Sequence, residues 1–150
     1  MHKTKLVHKI SKILVDFLFY TGIITTVSIP FLKGYINWFY GYDNSLKNPM
    51  IYTLFFSGIC AVYLLFNLKS MFKSLLNGDP FVEKNVSHFR KMATTSMIIA
   101  LIYIVKNIFL FTITTLIIVF IFIIVSLFCL TLKDLFKQAV TYKEENDLTI

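Results

Sequence analysis

Residues able to do acid, base or metal chemistry are few and scattered. The histidines are His2, His8 and His88, and the cysteines are Cys60 and Cys129. A zinc site needs His and Cys at short, fixed spacings. None of these histidines sits four residues from another or beside a cysteine, so no metal site is expected. There is no Gly-rich phosphate loop and no Ser/His/Asp pattern. The chain therefore reads as a non-enzyme without a cofactor. Cys60 and Cys129 read as free, buried thiols that behave as small hydrophobes.

Two charged residues stand out by position. Asp16 is the one acid inside an apolar stretch, and Lys106 is the only charge in the 41 residues 92–132. Ionisable groups in such runs mark ion or proton paths by default. Asp16, however, lies only one helical turn inside the boundary, within reach of Lys12 at i−4 or of water. An interfacial pair is its expected role. A path through lipid also needs a polar lining. The last run offers only Thr112, Thr114, Thr115, Ser126 and Thr131, residue types common at helix contacts. Ser57 and Ala61 add a small-xxx-small pair.

The elements that carry these residues follow from composition. Hydrophobic residues are 57% of the 150 and charged residues 15%, against about 45–50% and about 25% in soluble domains. That excludes a water-soluble globule, and it excludes disorder, which goes with poverty in apolar residues. Two cysteines exclude a disulfide scaffold. A crossing helix takes about 20 apolar residues, and the runs 13–32 and 50–68 meet that. The run 92–132 would be roughly 60 Å long as one helix, twice the hydrocarbon thickness. It must fold back, and Lys106-Asn107 is the expected turn, because Lys at mid-bilayer costs about 2.5–3.5 kcal/mol. Helices are thus predicted at 13–32, 50–68, 92–105 and 113–132. The expected fold is an all-α integral membrane protein, one domain over 1–150 with a cytoplasmic tail at 133–150. A barrel would alternate apolar and polar residues, and residues 117–125 do not.

Orientation follows from the basic residues. Twelve of the fifteen fall on the side that holds both termini, and Lys33, Lys47 and Lys106 fall on the other. The positive-inside rule then puts both termini in the cytoplasm. Tyr35, Trp38, Phe39, Tyr40 and Tyr42 form an interfacial aromatic cluster at the outer end of the first helix. No small-residue cleavage site follows the first apolar run, so it reads as an uncleaved anchor.

The decorated surface is cytoplasmic. Met71, Phe72, Leu75 and Leu76 continue the second helix as one stripe, and Asn77-Gly78 stops it. Asp79-Pro80 is expected to start the next helix, with Asp79 as N-cap and Pro80 at the first helical position. Val82, Val86 and Phe89 form a second stripe, and Leu132, Leu135, Phe136, Ala139 and Val140 a third. These predict helices that project beyond the bilayer and pack into a small collar. The alternative is amphipathic helices lying on lipid. The end of the chain, Glu144, Glu145, Asn146, Asp147, Leu148, Thr149 and Ile150, holds three of the eight acids. It suits docking on the basic loop or presentation to a partner; the plain alternative is a frayed end. The net charge of +7 invites a nucleic-acid reading, but fourteen of the fifteen basic residues are Lys rather than base-reading Arg. Topology and anionic lipid, at about 1 kcal/mol per basic residue, account for most of them. No direct nucleic-acid binding is expected.

Gly78-Asp79-Pro80-Phe81 after the second helix, a terminal Glu145-Asn146-Asp147-Leu148-Thr149-Ile150, and four spans in this length resemble the bacterial membrane family called domain of unknown function 2975. The resemblance covers nearly the whole chain. The short, apolar link between the last two helices departs from the family pattern. Such proteins are often encoded beside a small helix-turn-helix regulator. The resemblance therefore implies a membrane protein that holds or modulates a cytoplasmic transcription factor. On that reading Gly78 to Phe81 and Glu144 to Ile150 bind the partner. The alternative is a small bacteriocin-immunity or transport protein, acting as a homo-oligomer in the lipid bilayer through Asp16 and Lys106.

Overall fold

Lipid supplies no hydrogen bonds, so a chain this apolar satisfies its backbone within helices. The computed structural model describes the backbone of residues 2–40 and 49–148, and the side chains of 6–39 and 50–147. It contains α1 (His2–Ser28), α2 (Lys33–Tyr40), α3 (Pro49–Leu76), α4 (Glu83–Phe109) and α5 (Ile113–Leu148). Four of these, α1, α3, α4 and α5, carry stretches long and apolar enough to cross a membrane. The protein is an all-helical membrane protein with four such helices.

Specific side-chain pairs fix the arrangement. Asp16 meets Lys69 and Thr26 lies against Gly58, so α1 and α3 run antiparallel. His88 bonds Asn67 and Tyr103 bonds Ser57, which makes α3 and α4 antiparallel. Ser126 bonds the Ala93 carbonyl and Thr115 meets Lys106, which does the same for α4 and α5. The helices thus form a row, α1 on α3, α3 on α4 and α4 on α5. The start of α1 and the end of α5 lie on the same side of this row, here the collar end. The α4–α5 turn lies at the other, the turn end.

The core is small: Ile99, Ala100, Tyr103 and Val119, with Cys60, Leu64 and Phe122 packed on it. Large side chains point outward instead; Phe17 is 63% exposed and Ile124 64%. Water would penalise that surface heavily, whereas lipid does not. The interior is correspondingly small and polar. The Ser126 hydroxyl donates to the Ala93 carbonyl at 2.9 Å, and the Ser57 and Tyr103 hydroxyls lie 3.3 Å apart. Interhelical bonds and close backbone approach hold such bundles.

The helices run further than the apolar runs that predict them, with one exception. The first stops at Ser28, short of residue 32. Pro30 has no N–H to give, and the chain turns through bonds from Phe31 and Leu32 to the Ser28 carbonyl. The third span extends both ways, from Glu83 to Phe109, carrying Lys84, Arg90 and Lys91 as helical residues. The expected turn at Lys106-Asn107 is corrected. Lys106 stays in α4, and the helix ends at Leu110, whose extended backbone donates its N–H to the Lys106 carbonyl. The expected helix start at Asp79-Pro80 is corrected too. Val82 occupies the N-cap position in extended conformation without a side-chain cap, and Asp79 and Pro80 are used elsewhere. Gly78 does end α3, at φ +86°, a left-handed conformation that glycine adopts without penalty.

Gly58 lets α1 approach α3. A Cβ there would lie 2.8 Å from Thr26 Oγ1 and 3.1 Å from its Cγ2, and Thr26 is buried. Gly58→Val is expected to cost about 1–3 kcal/mol by overpacking. Thermal unfolding in detergent reads it, and an unchanged midpoint would show that the two helices part freely.

Candidate functional site

The collar is built from the three stripes. Phe136 of α5 stacks on Phe89 of α4, ring centroids 4.8 Å apart, and on Phe81 of the loop at 5.5 Å. Val86, Phe89 and Val140 are buried. A groove of about 170 Å³ remains between Met71, Phe72, Leu75, Pro80 and this cluster. The extensions therefore pack on one another, as a collar does. The loop is laced to them by polar bonds. The Ser74 hydroxyl donates to the Asp79 carbonyl at 2.8 Å, and the Asn85 amide donates to the Pro80 carbonyl at 2.7 Å. The Asp79 carboxylate pairs with Lys143 of α5 at 2.7 Å. Asp79 stands three residues before Val82, the N-cap of α4, and so does not cap it.

Glu144, Glu145, Asn146 and Asp147 are helical and exposed on the last turns of α5, so this segment is ordered helix through Leu148. The Leu148 side chain and the residues Thr149 and Ile150 lie outside the described residues. The structure thus brings Gly78–Phe81 against α5 through Phe136 and Lys143. The acids that follow Lys143 sit beside that junction.

The two intramembrane candidates are far apart, at opposite ends of the row. Asp16 does not use Lys12. Its partner is Lys69 of α3, at 3.2 Å, whose ammonium also donates to the Tyr20 hydroxyl at 3.2 Å and lies over the Phe19 and Tyr20 rings. Antiparallel packing supplied a cation that local spacing does not reveal. Lys106, in the last turn of α4, is 3% exposed. Its ammonium donates to Thr112 and to Thr115 at 2.9 Å. No carboxylate pairs with it among the described residues. Two hydroxyls offset part of its desolvation but leave its charge uncompensated.

A third polar pair, Asn67 and His88, joins α3 to α4. The Asn67 amide donates to the Tyr63 carbonyl at 2.7 Å, so its oxygen is the acceptor for His88. The His88 ring therefore donates from Nδ1, at 2.8 Å, and Nε2 is left as a buried acceptor without a protein partner. Among the described residues no group of three His, Cys, Asp or Glu gathers as a metal site would require.

The family model described as "Protein of unknown function (DUF2975)" matches residues 32–150. The chain belongs to this family. The match takes in the collar loop and all of α5, and begins after α1. The family's description names no activity. No curated protein and no solved structure matches the chain.

Lys143, Asn67 and Lys69 complete these polar contacts without having been assigned from the sequence, whereas Thr115 was expected at a helix contact but not as a partner of Lys106. Asn67 carried a signal, as an amide within an uncharged apolar run. Lys69 and Lys143 carried none, being ordinary lysines at a membrane boundary.

Proposed function

We propose that the protein is a non-enzymatic regulator in the bacterial plasma membrane, with both termini in the cytoplasm. In this reading its collar and acidic helical end bind a small cytoplasmic helix-turn-helix transcription factor. One observation carries the reading. α5 continues past its apolar run for about 24 Å as an arm held by Phe136 and Lys143, and the exposed Glu144, Glu145 and Asp147 stand at its tip. An ordered acidic helix suits a basic DNA-binding partner, because complementary charge steers association and sets register. The inclusion of this arm in the family match and the cytoplasmic bias of the basic residues support the same direction.

Deleting residues 144–150 is expected to abolish co-purification with a small helix-turn-helix protein expressed alongside the chain, while membrane insertion persists. Undiminished co-purification rejects the role of the acidic end. The immunity or transport reading has weaker support, since Asp16 is paired with Lys69 and Lys106 is tied to two threonines.

A further inference from the structure

Lys106 stands at one end of an open groove of about 600 Å³ between α3 and α4, on the lipid-facing side. The groove is lined by Tyr52, Phe56, Cys60, Ile98 and Val105 as well as Lys106. Phe56, Ile98 and Val105 are about half exposed, so the groove opens to the surroundings rather than into the core. Its walls are almost wholly carbon, and Lys106 brings the one charge. The Lys106 ammonium carries three N–H groups. Two are taken by Thr112 and Thr115, and a third remains. No acid compensates it among the described residues. A buried cation that keeps a donor free at the mouth of an apolar groove is half of an ion pair.

We propose that this groove is a binding site for one anionic phospholipid, with its phosphate at Lys106 and an acyl chain along α3 and α4. Polarity and length both select this occupant. Lys106 lies within one turn of the end of α4, where a helix of spanning length reaches the headgroups, and the apolar walls run from there toward the middle of the helix. From Phe109 to Ile98 the groove spans about 16 Å at 1.5 Å per residue, close to half of a hydrocarbon core of about 30 Å. A lipid in that leaflet therefore reaches the ammonium with its phosphate while its chain fills the groove. Both kinds of phospholipid carry a phosphodiester charged at neutral pH, but a zwitterionic headgroup already holds a cation of its own, so an anionic lipid compensates Lys106 more fully. The site is at the turn end, remote from the collar, and does not depend on the partner proposed there.

The test is native mass spectrometry of the full chain released from nanodiscs of phosphatidylglycerol and phosphatidylcholine in equal amounts. One phosphatidylglycerol is expected to be retained per chain, with a preference over phosphatidylcholine of about tenfold or more. Lys106→Met keeps the length of the side chain and should remove the preference, whereas Lys106→Arg should keep it. Ile98→Trp fills a half-exposed wall position and should reduce retention of either lipid while Lys106 is intact. A circular-dichroism spectrum unchanged from the parent establishes that each variant is folded. Equal retention of the two lipids by the parent chain, a preference that survives Lys106→Met, or a lipid-free dimer that seats a second copy in the groove would each overturn the proposal.

Discussion

Phe136→Ala is expected to cost about 3 kcal/mol, the lower end of the range for a buried phenylalanine because this ring is half-buried. The ring joins α5 to both the loop and α4, through Phe81 at 5.5 Å and Phe89 at 4.8 Å. Tilted aromatic pairs add about 0.5–1.5 kcal/mol beyond the area they bury. The other link across this junction, Asp79–Lys143, is exposed on both sides and weak in water. Without Phe136 the arm should therefore open while the membrane portion of α5 stays put. Amide hydrogen exchange in detergent reads this directly: residues 133–148 should lose protection and residues 113–132 should keep it. Phe136→Leu should restore most of the loss. If the arm exchanges at the parent rate in Phe136→Ala, the collar is not what holds it, and the acidic tip has no fixed position from which to meet a partner.

The second large effect concerns the buried Asn67–His88 pair. Asn67 is 1% exposed and His88 7%. Asn67→Leu removes the acceptor of the His88 Nδ1 proton and leaves both ring nitrogens without partners among the described residues. A buried donor stranded in this way costs about 1–3 kcal/mol. His88→Leu in the same chain removes the stranded group, so the double variant should recover most of the stability. The pair is then strongly non-additive, and a double-mutant cycle in denaturant measures the coupling. Two losses that simply add would show that the bond at 2.8 Å contributes no coupling.

The elements with the strongest local signal were the ones readable in advance. The uncharged run 50–68 and the unbroken apolar stretch after Ile113 specify helices by themselves, because a backbone in lipid has no other solution. Gly78 marked a helix end for an equally local reason, since its positive φ suits a residue without Cβ. The three collar stripes were visible too, as periodic apolar residues continuing past the hydrophobic runs. Asp79-Pro80 misled because N-capping is a competition. The helix starts only after Val82, and the Asp79 carboxylate meets Lys143, a residue 64 positions away.

Lys106 misled for the opposite reason. A lone charge in an apolar run reads as a turn when its insertion cost is counted alone. Thr112 and Thr115 lower that cost once α5 folds back, so the helix continues past it. The amino-acid sequence by itself determined that this chain is helical, that it has four helices able to cross a membrane, and which residues line the collar stripes, because hydropathy and periodicity act over a few turns. Tertiary structure alone decided that Asp16 meets Lys69, that Asn67 holds His88, that Lys143 closes the loop, and that Lys106 ends an apolar groove. Each of those depends on the register of one antiparallel helix against another. That register is set by close contacts such as Thr26 against Gly58, and no spacing along a single helix encodes it.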